Sequence, residues 1–289
     1  MEREAPYDMR QAILAGTLWL AAVAVVAAQP QAKAISAFDE YARLTEGRLD
    51  AELGHPERFL RVDAHPSARR QTELTRLRGG EVLIERLETL VNGRPLEAPN
   101  ALIHHWIATV YIPGVGLERV VAVLQDYDHH AQLFAPAVAR SKLRARNGDD
   151  FRMYLRLIRT KVITVVLDTE NDVRYSAPRP DRVEFRSRTT SVREVQDAGK
   201  PAETIKAVGD GHGFMWRLNT YGRVEARDDG TFVQFETVSL SRDIPFGLGW
   251  VIGPFVTSVP KESLLFTLET LRRRVTTATV ATHDHNLIY

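Results

Sequence analysis

Between Val138 and Ile244 apolar and polar residues alternate in six successive runs, after which the pattern changes once to a period of three to four residues. A period of two marks a strand with one buried face, and a period near 3.6 marks an amphipathic helix. The six predicted strands are Val138–Arg146, Phe151–Arg159, Val162–Ser176, Arg182–Val195, Gly213–Arg227 and Thr231–Ile244. Asn147-Gly148, residues 178–181 and 228–230, and the polar span 196–211 separate them as turns. The predicted closing helix starts at Pro260, which presets a first-turn φ, with Ser258 as an upstream cap and Glu262 in the positively polarised first turn. Leu264, Leu268, Leu271 and Val275 form its apolar stripe, and Arg272, Arg273 and Arg274 complement its negative end.

Upstream, LIHHWIATVYIP reads as a further strand from Leu102, broken at residues 113–116 and followed by two short helices that end before Pro136. Ile35–Leu53 places Phe38, Tyr41, Thr45 and Leu49 at helical spacing, so one amphipathic helix is expected there. His55–Arg70 reads as a loop with a short strand at Phe59–Val62. Gly79-Gly80 and Asn92-Gly93 read as hairpin turns of an extra antiparallel ribbon. The resulting division is 1–34 as signal peptide or anchor, 35–101 as a helix and hairpin extension, 102–275 as the main domain, and 276–289 as a flexible tail.

Composition narrows the function classes. With 38 Lys plus Arg against 37 Asp plus Glu, the net charge of +1 gives no global attraction to nucleic acid or anionic membranes. There is no cysteine, so disulfides, thiolate metal sites and cysteine nucleophiles are excluded together. The uncharged apolar run Gln11–Ala28 reads as a cleaved signal peptide, with an uncleaved membrane anchor and a buried core helix as alternatives. The first two readings place the rest of the chain outside the cytoplasm, exported or membrane-anchored, with membrane association through residues 11–28.

The element order of one strand, two short helices, six strands and a long last helix resembles the START-like or SRPBCC superfamily, whose helix-grip fold is shared with polyketide cyclases. The resemblance spans Leu102 to Val275 and is carried by YIPGVGLERVVAVLQDYDHHAQLFAPAV and by SLSRDIPFGLGWVIGPFVTSVPKESLLFTLETLRRRV. It implies an α+β fold in which a curved antiparallel sheet wraps around the C-terminal helix, with lipids or other apolar compounds bound between them. A minority of the superfamily acts on such ligands. It has no universal catalytic residue, so the resemblance transfers none.

The chain's own residues give the candidate site. Phe151, Met153, Leu155 and Leu157 alternate along one strand, Phe214, Trp216 and Leu218 along another, and Trp106 lies on the first. These suit the lining of an adaptable apolar cavity, against the alternative of a filled core. Trp250 and Phe255, interleaved with glycines in PFGLGWVIGPFV, suit a lid, against an ordinary helix entry. Glu236, flanked by apolar residues, is the candidate polar anchor or buried acid.

Other features carry less. His104 and His105 are adjacent on a strand and therefore point to opposite faces, and His129-His130 lacks helical ligand spacing, so no metal site and no cofactor is expected. The alternating Arg140, Lys142, Arg144 and Arg146 read as a solvated face, and no nucleic-acid partner is expected. The functional expectation is binding or transport of a lipid-like apolar molecule. A cyclase or hydrolase using the same cavity and an envelope protein-interaction module remain as alternatives, and ligand identity and oligomeric state stay open.

Overall fold

The computed structural model describes residues 9–161, 163–243 and 249–285, with side chains described for 31–161, 163–243 and 258–277. The strands are β1 (Leu83–Arg86), β2 (Leu90–Val91), β3 (Arg94–Pro95), β4 (Ala101–Pro113), β5 (Val138–Asn147), β6 (Asp150–Thr160), β7 (Thr164–Arg179), β8 (Arg182–Gln196), β9 (Thr204–Ile205), β10 (Arg217–Arg227) and β11 (Gly230–Arg242). The helices are α1 (Met9–Leu53), α2 (Ser67–Arg78), α3 (Leu117–Gln125), α4 (His130–Leu133) and α5 (Gly249–His285). The predicted strands of the main domain are present with boundaries shifted by a few residues.

One antiparallel sheet runs in the order β1-β4-β11-β10-β8-β7-β6-β5, with β9 appended to β8. The sheet is curved and α5 packs against it, giving the α+β helix-grip architecture. Leu264, Leu268, Leu271 and Val275 are all buried on α5 and share one core cluster with Ala108, Val110 and Ile112 of β4. The helix thus leans on β4 at one side of the sheet. On the other side it is tied to the end of β6, where Arg159 Nε donates to Ser263 Oγ at 2.7 Å and Lys161 Nζ to Glu262 Oε1 at 2.7 Å.

The opposite face of the sheet is covered by α1. Phe38, Tyr41, Thr45 and Leu49 are buried, as the helical spacing predicts, and Phe38, Tyr41 and Leu49 pack with Tyr221, Val238 and Leu240. The exposed edge strand β5 carries the alternating cations. Lys142 pairs with Asp128 at 3.0 Å and Arg144 with Glu170 at 3.2 Å, while Arg146 lies over the Phe151 ring. A charged edge resists pairing with another chain, which fits the solvated reading of this stripe.

Four expectations differ from the structure. Gly79-Gly80 ends α2 rather than turning a hairpin: Gly79 N–H donates to Thr75 O at 2.9 Å, and Gly80 takes φ +91, the left-handed conformation that glycine supplies when a helix stops. Phe59–Val62 forms no strand; the segment holds two 3₁₀ turns, Pro56–Arg58 and Arg61–Ala64, that bury Phe59, Leu60 and Val62. Pro260 lies inside α5, not at its start, because the helix begins at Gly249. The stretch after Val275 stays helical to His285, and the hydroxyls of Thr276 and Thr277 donate back to the carbonyls of Arg272 and Arg273 at 2.8 and 2.8 Å. The Asn92-Gly93 turn is present between β2 and β3.

Among the described residues no helix is long and apolar enough to cross a membrane. The side chains of Gln11–Ala28 lie outside the described ones, and the backbone there belongs to α1, which runs on into the part buried on the sheet.

Candidate functional site

Strand pairing sets which residues share the concave face. Phe235 pairs with Ala108, Gly222 with Phe235, and Gly222 with Phe185, so these positions look toward α5. The neighbouring positions Glu236, Ile107, Tyr221 and Arg186 look the other way, toward α1.

Between the concave face and α5 lies a cavity of about 300 Å³. Its wall is mostly apolar: Met153, Leu155 and Leu157 come from β6, Tyr175 from β7, Phe185 from β8 and Leu218 from β10. Val259, Pro260 and Leu264 close it from α5, and Phe214 and Met215 from the segment before β10. Close packing normally leaves few voids larger than a water molecule, so a gap of this size is the candidate ligand site.

The cavity has two polar zones. At the α3–α4 end, Tyr127 Oη and Tyr175 Oη are 3.0 Å apart, and Tyr175 reaches Leu124 O at 3.4 Å. Burial pushes the Tyr127 phenol up to about 12 and raises Tyr175 as well, so both hydroxyls stay protonated at neutral pH. Beside them His130 stands edge-on to Tyr127 and Phe134, and its Nε2 has no hydrogen-bond partner. At the other end of the strands, His104 Nε2 lies 3.0 Å from Ser241 Oγ. Arg159, bound to Ser263, also lines this cavity. No carboxylate lines it among the described residues.

Burial lowers His104 to a pKa of about 4, reinforced by the charge of Arg86, and lowers His130 to about 4 against backbone hydrogen bonds to Val123 and Leu124. An unfolded histidine titrates near 6.5, so below that pH the unfolded chain binds protons that the folded one refuses. Stability is therefore complete above about pH 6.5 and is lost as pH falls toward 4, on the order of 3 kcal/mol for the buried His130 and less for the half-buried His104. Urea unfolding between pH 7.5 and 4.5 should show this decline, and His130→Phe should reduce its slope. An unchanged slope in the variant would refute the assignment to His130.

The sequence-predicted site residues divide. Met153, Leu155, Phe214 and Leu218 line the cavity. Phe151 is buried beside it, in edge contact with Tyr127 and Tyr175. Trp106 packs against the α5 cluster, where Lys261 Nζ lies 5.7 Å from its ring centre. Trp216 packs with the α1 cluster on the far face. Glu236 is also on that far face, 1% exposed and bonded to His105 and Arg48, so it is no anchor at the cavity's end. The side chains of Trp250 and Phe255 lie outside the described residues, and with them the lid expectation.

His104 and His105 do face opposite sides, one toward the cavity and the other toward α1. Arg159, Tyr175, Phe185 and Phe235 are wall residues that the sequence reading passed over. Arg159 and Leu157 continue the same two-residue period as Met153 and Leu155, which was the available signal.

The strand order, the curved sheet and the closing helix define an α+β helix-grip fold. No family model matches the chain, and no curated protein matches it. Among solved structures, it is similar to a STAR-related lipid transfer protein (fragment 25-204) from Xanthomonas axonopodis, with 21% identity over 68% of this chain and 99% of the other at a TM-score of 0.44. A protein from Thermus thermophilus shares 19% identity over 60% of this chain and 97% of its own, at a TM-score of 0.41. Human STARD10 shares 9% over 78% of this chain and 86% of its own, at 0.42. These are likenesses of fold, and the reading of the cavity rests on this chain's own residues.

Proposed function

We propose that the protein binds one lipid-like, predominantly apolar molecule between its sheet and α5. The observation that carries this is the cavity itself, about 300 Å³ with a wall dominated by aliphatic and aromatic side chains. At roughly 25 cal/mol per Å² of apolar surface removed from water, a guest that fills such a space gains several kcal/mol before its ordering cost. Met153 and Met215 add flexible surface suited to guests of differing shape.

Titration with the apolar fluorophore N-phenyl-1-naphthylamine tests the reading. One saturable site per chain, displaced by a single-chain lipid, is the expected result. Absence of saturable binding up to the solubility limit would overturn it. The apolar run Gln11–Ala28 supports placing this activity outside the cytoplasm; a C-terminal reporter that matures only inside the cell would refute that placement by its signal.

A further inference from the structure

Three arginines punctuate β6, and they differ in what neutralises them. Arg152 Nε pairs with Asp172 Oδ1 at 3.1 Å. Arg156 pairs with Asp168 at 2.8 Å and with Glu203 at 2.7 Å. Lys161, just past the strand, pairs with Glu262 at 2.7 Å. Arg159 shares the parity of Met153, Leu155 and Leu157, lines the cavity, and has no carboxylate partner among the described residues. Its Nε donates to Ser263 Oγ at 2.7 Å, its Nη1 to Ile158 O at 3.0 Å, and its guanidinium carbon lies 5.6 Å from the Phe266 ring centre.

A guanidinium in that setting has lost hydration without gaining a counter-charge, and burial depresses its pKa accordingly. Its planar donor fork matches a carboxylate or a phosphate, and such charge-assisted bonds are the strong ones. Ser263 already holds the fork at the α5 wall, so an anion entering there would meet an oriented donor. The remaining length of the cavity offers no second side-chain charge at neutral pH: Tyr127 and Tyr175 satisfy each other, and the side chains between are apolar or carry neutral hydroxyls, as at Ser187, Thr220, Thr237 and Ser239.

The dimensions point to one chain. Arg159 and Met153 are six residues apart on β6, about 20 Å at roughly 3.3 Å per residue. The cavity of about 300 Å³ is lined along this length of β6, from Met153 to Arg159. A slender tail fits this space.

We infer that the cavity selects a single-chain amphiphile with an anionic head, carboxylate or phosphate, which Arg159 grips while the tail runs toward Tyr127 and Tyr175. This rests on the reading of the cavity as an apolar ligand site. The test compares dodecanoate, dodecyl phosphate, dodecanol and dodecyltrimethylammonium, by displacement of the apolar fluorophore from the full chain. At least one of the two anions should bind about tenfold or more tightly than dodecanol, a difference of about 1.4 kcal/mol. Whichever anion binds more tightly identifies the head-group source.

In Arg159→Met the advantage of the anions over dodecanol should disappear, and in Arg159→Lys part of it should return. Equal affinity for dodecanol and both anions, or an anion preference that survives in Arg159→Met, would overturn the inference while leaving the apolar site standing. Failure of all four compounds to displace the fluorophore, or of the fluorophore to bind, would overturn both. Thermal unfolding of each variant identifies any that fails to fold, and Arg159→Lys then supplies the comparison.

Discussion

Replacing Glu236 with Ala should lower the unfolding free energy by about 3–5 kcal/mol, the cost of removing one member of a buried ion pair, and should leave the cavity's affinity for an apolar probe unchanged. Glu236 Oε1 accepts a hydrogen bond from His105 Nε2 at 2.7 Å and another from Arg48 of α1. Tyr41 Oη lies 2.8 Å from His105 Nδ1 and accepts from the Thr89 backbone N–H at 2.8 Å. With Tyr41 donating to Nδ1, the His105 ring donates through Nε2, and each hydrogen bond runs toward the carboxylate. Burial alone would raise the Glu236 pKa, but the His105 hydrogen bond and the charges of Arg48 and Arg223 outweigh it and hold the group below the ordinary carboxylate value.

Glu236→Ala leaves Arg48 facing the sheet without its main counter-ion and His105 without an acceptor. Glu236→Gln keeps the shape and one acceptor, so its loss should be smaller, about 1–3 kcal/mol. Urea unfolding of the three proteins, set beside fluorophore titrations, separates stability from binding. A Glu236→Ala protein that unfolds like wild type, or that loses its ligand while retaining its stability, would contradict the placement of this residue on the α1 side.

The second large effect is expected at Gly222. A Cβ there would stand 2.0 Å from Phe185 Cε1 and 2.3 Å from its Cζ, so the ring must leave its place. Tyr175 and Phe235 flank Phe185 with ring centres at 5.2 and 5.4 Å, which blocks a sideways shift and directs the ring into the cavity. Gly222→Val should therefore weaken fluorophore binding by about tenfold or more, while overpacking costs about 1–3 kcal/mol of stability. Gly222→Ala should do the same to a lesser degree. Full affinity in a folded Gly222→Val protein would show that the space above Phe185 is not where the guest sits.

The outer strands of the main domain and the α5 stripe were legible because each buries mainly one face, and such faces leave a clean period in the sequence. Glu236 was not, because β11 is central and buried on both sides. Val233 and Phe235 face α5 while Phe232 and Val238 pack on the other side, so the apolar run around Glu236 has no alternation to assign its face. Only the pairing of Glu236 with Ile107 and Tyr221 decides it.

The role of Ile35–Leu53 was hidden for a related reason. Its helix is readable from Phe38, Tyr41, Thr45 and Leu49, but the polar groups it meets belong to strands far away in sequence: Arg223 bonds to Glu52 at 2.7 Å, and Tyr221 to Glu46 at 3.0 Å. Local rules also misplaced the start of α5, where a proline that ordinarily opens a helix is carried inside one and packs on the cavity. The lack of periodicity after Val275 likewise suggested a loose tail, while the hydroxyls of Thr276 and Thr277 fold back onto the helix they extend.

Native mass spectrometry of the intact chain titrated with dodecanoate tests the central claim most directly. Wild type should acquire one adduct per chain at saturation, and at a ligand concentration that half-saturates wild type, folded Gly222→Val should carry several-fold less adduct. Equal adduct formation by both proteins, or none by wild type at saturating ligand, would contradict a guest held between the sheet and its last helix.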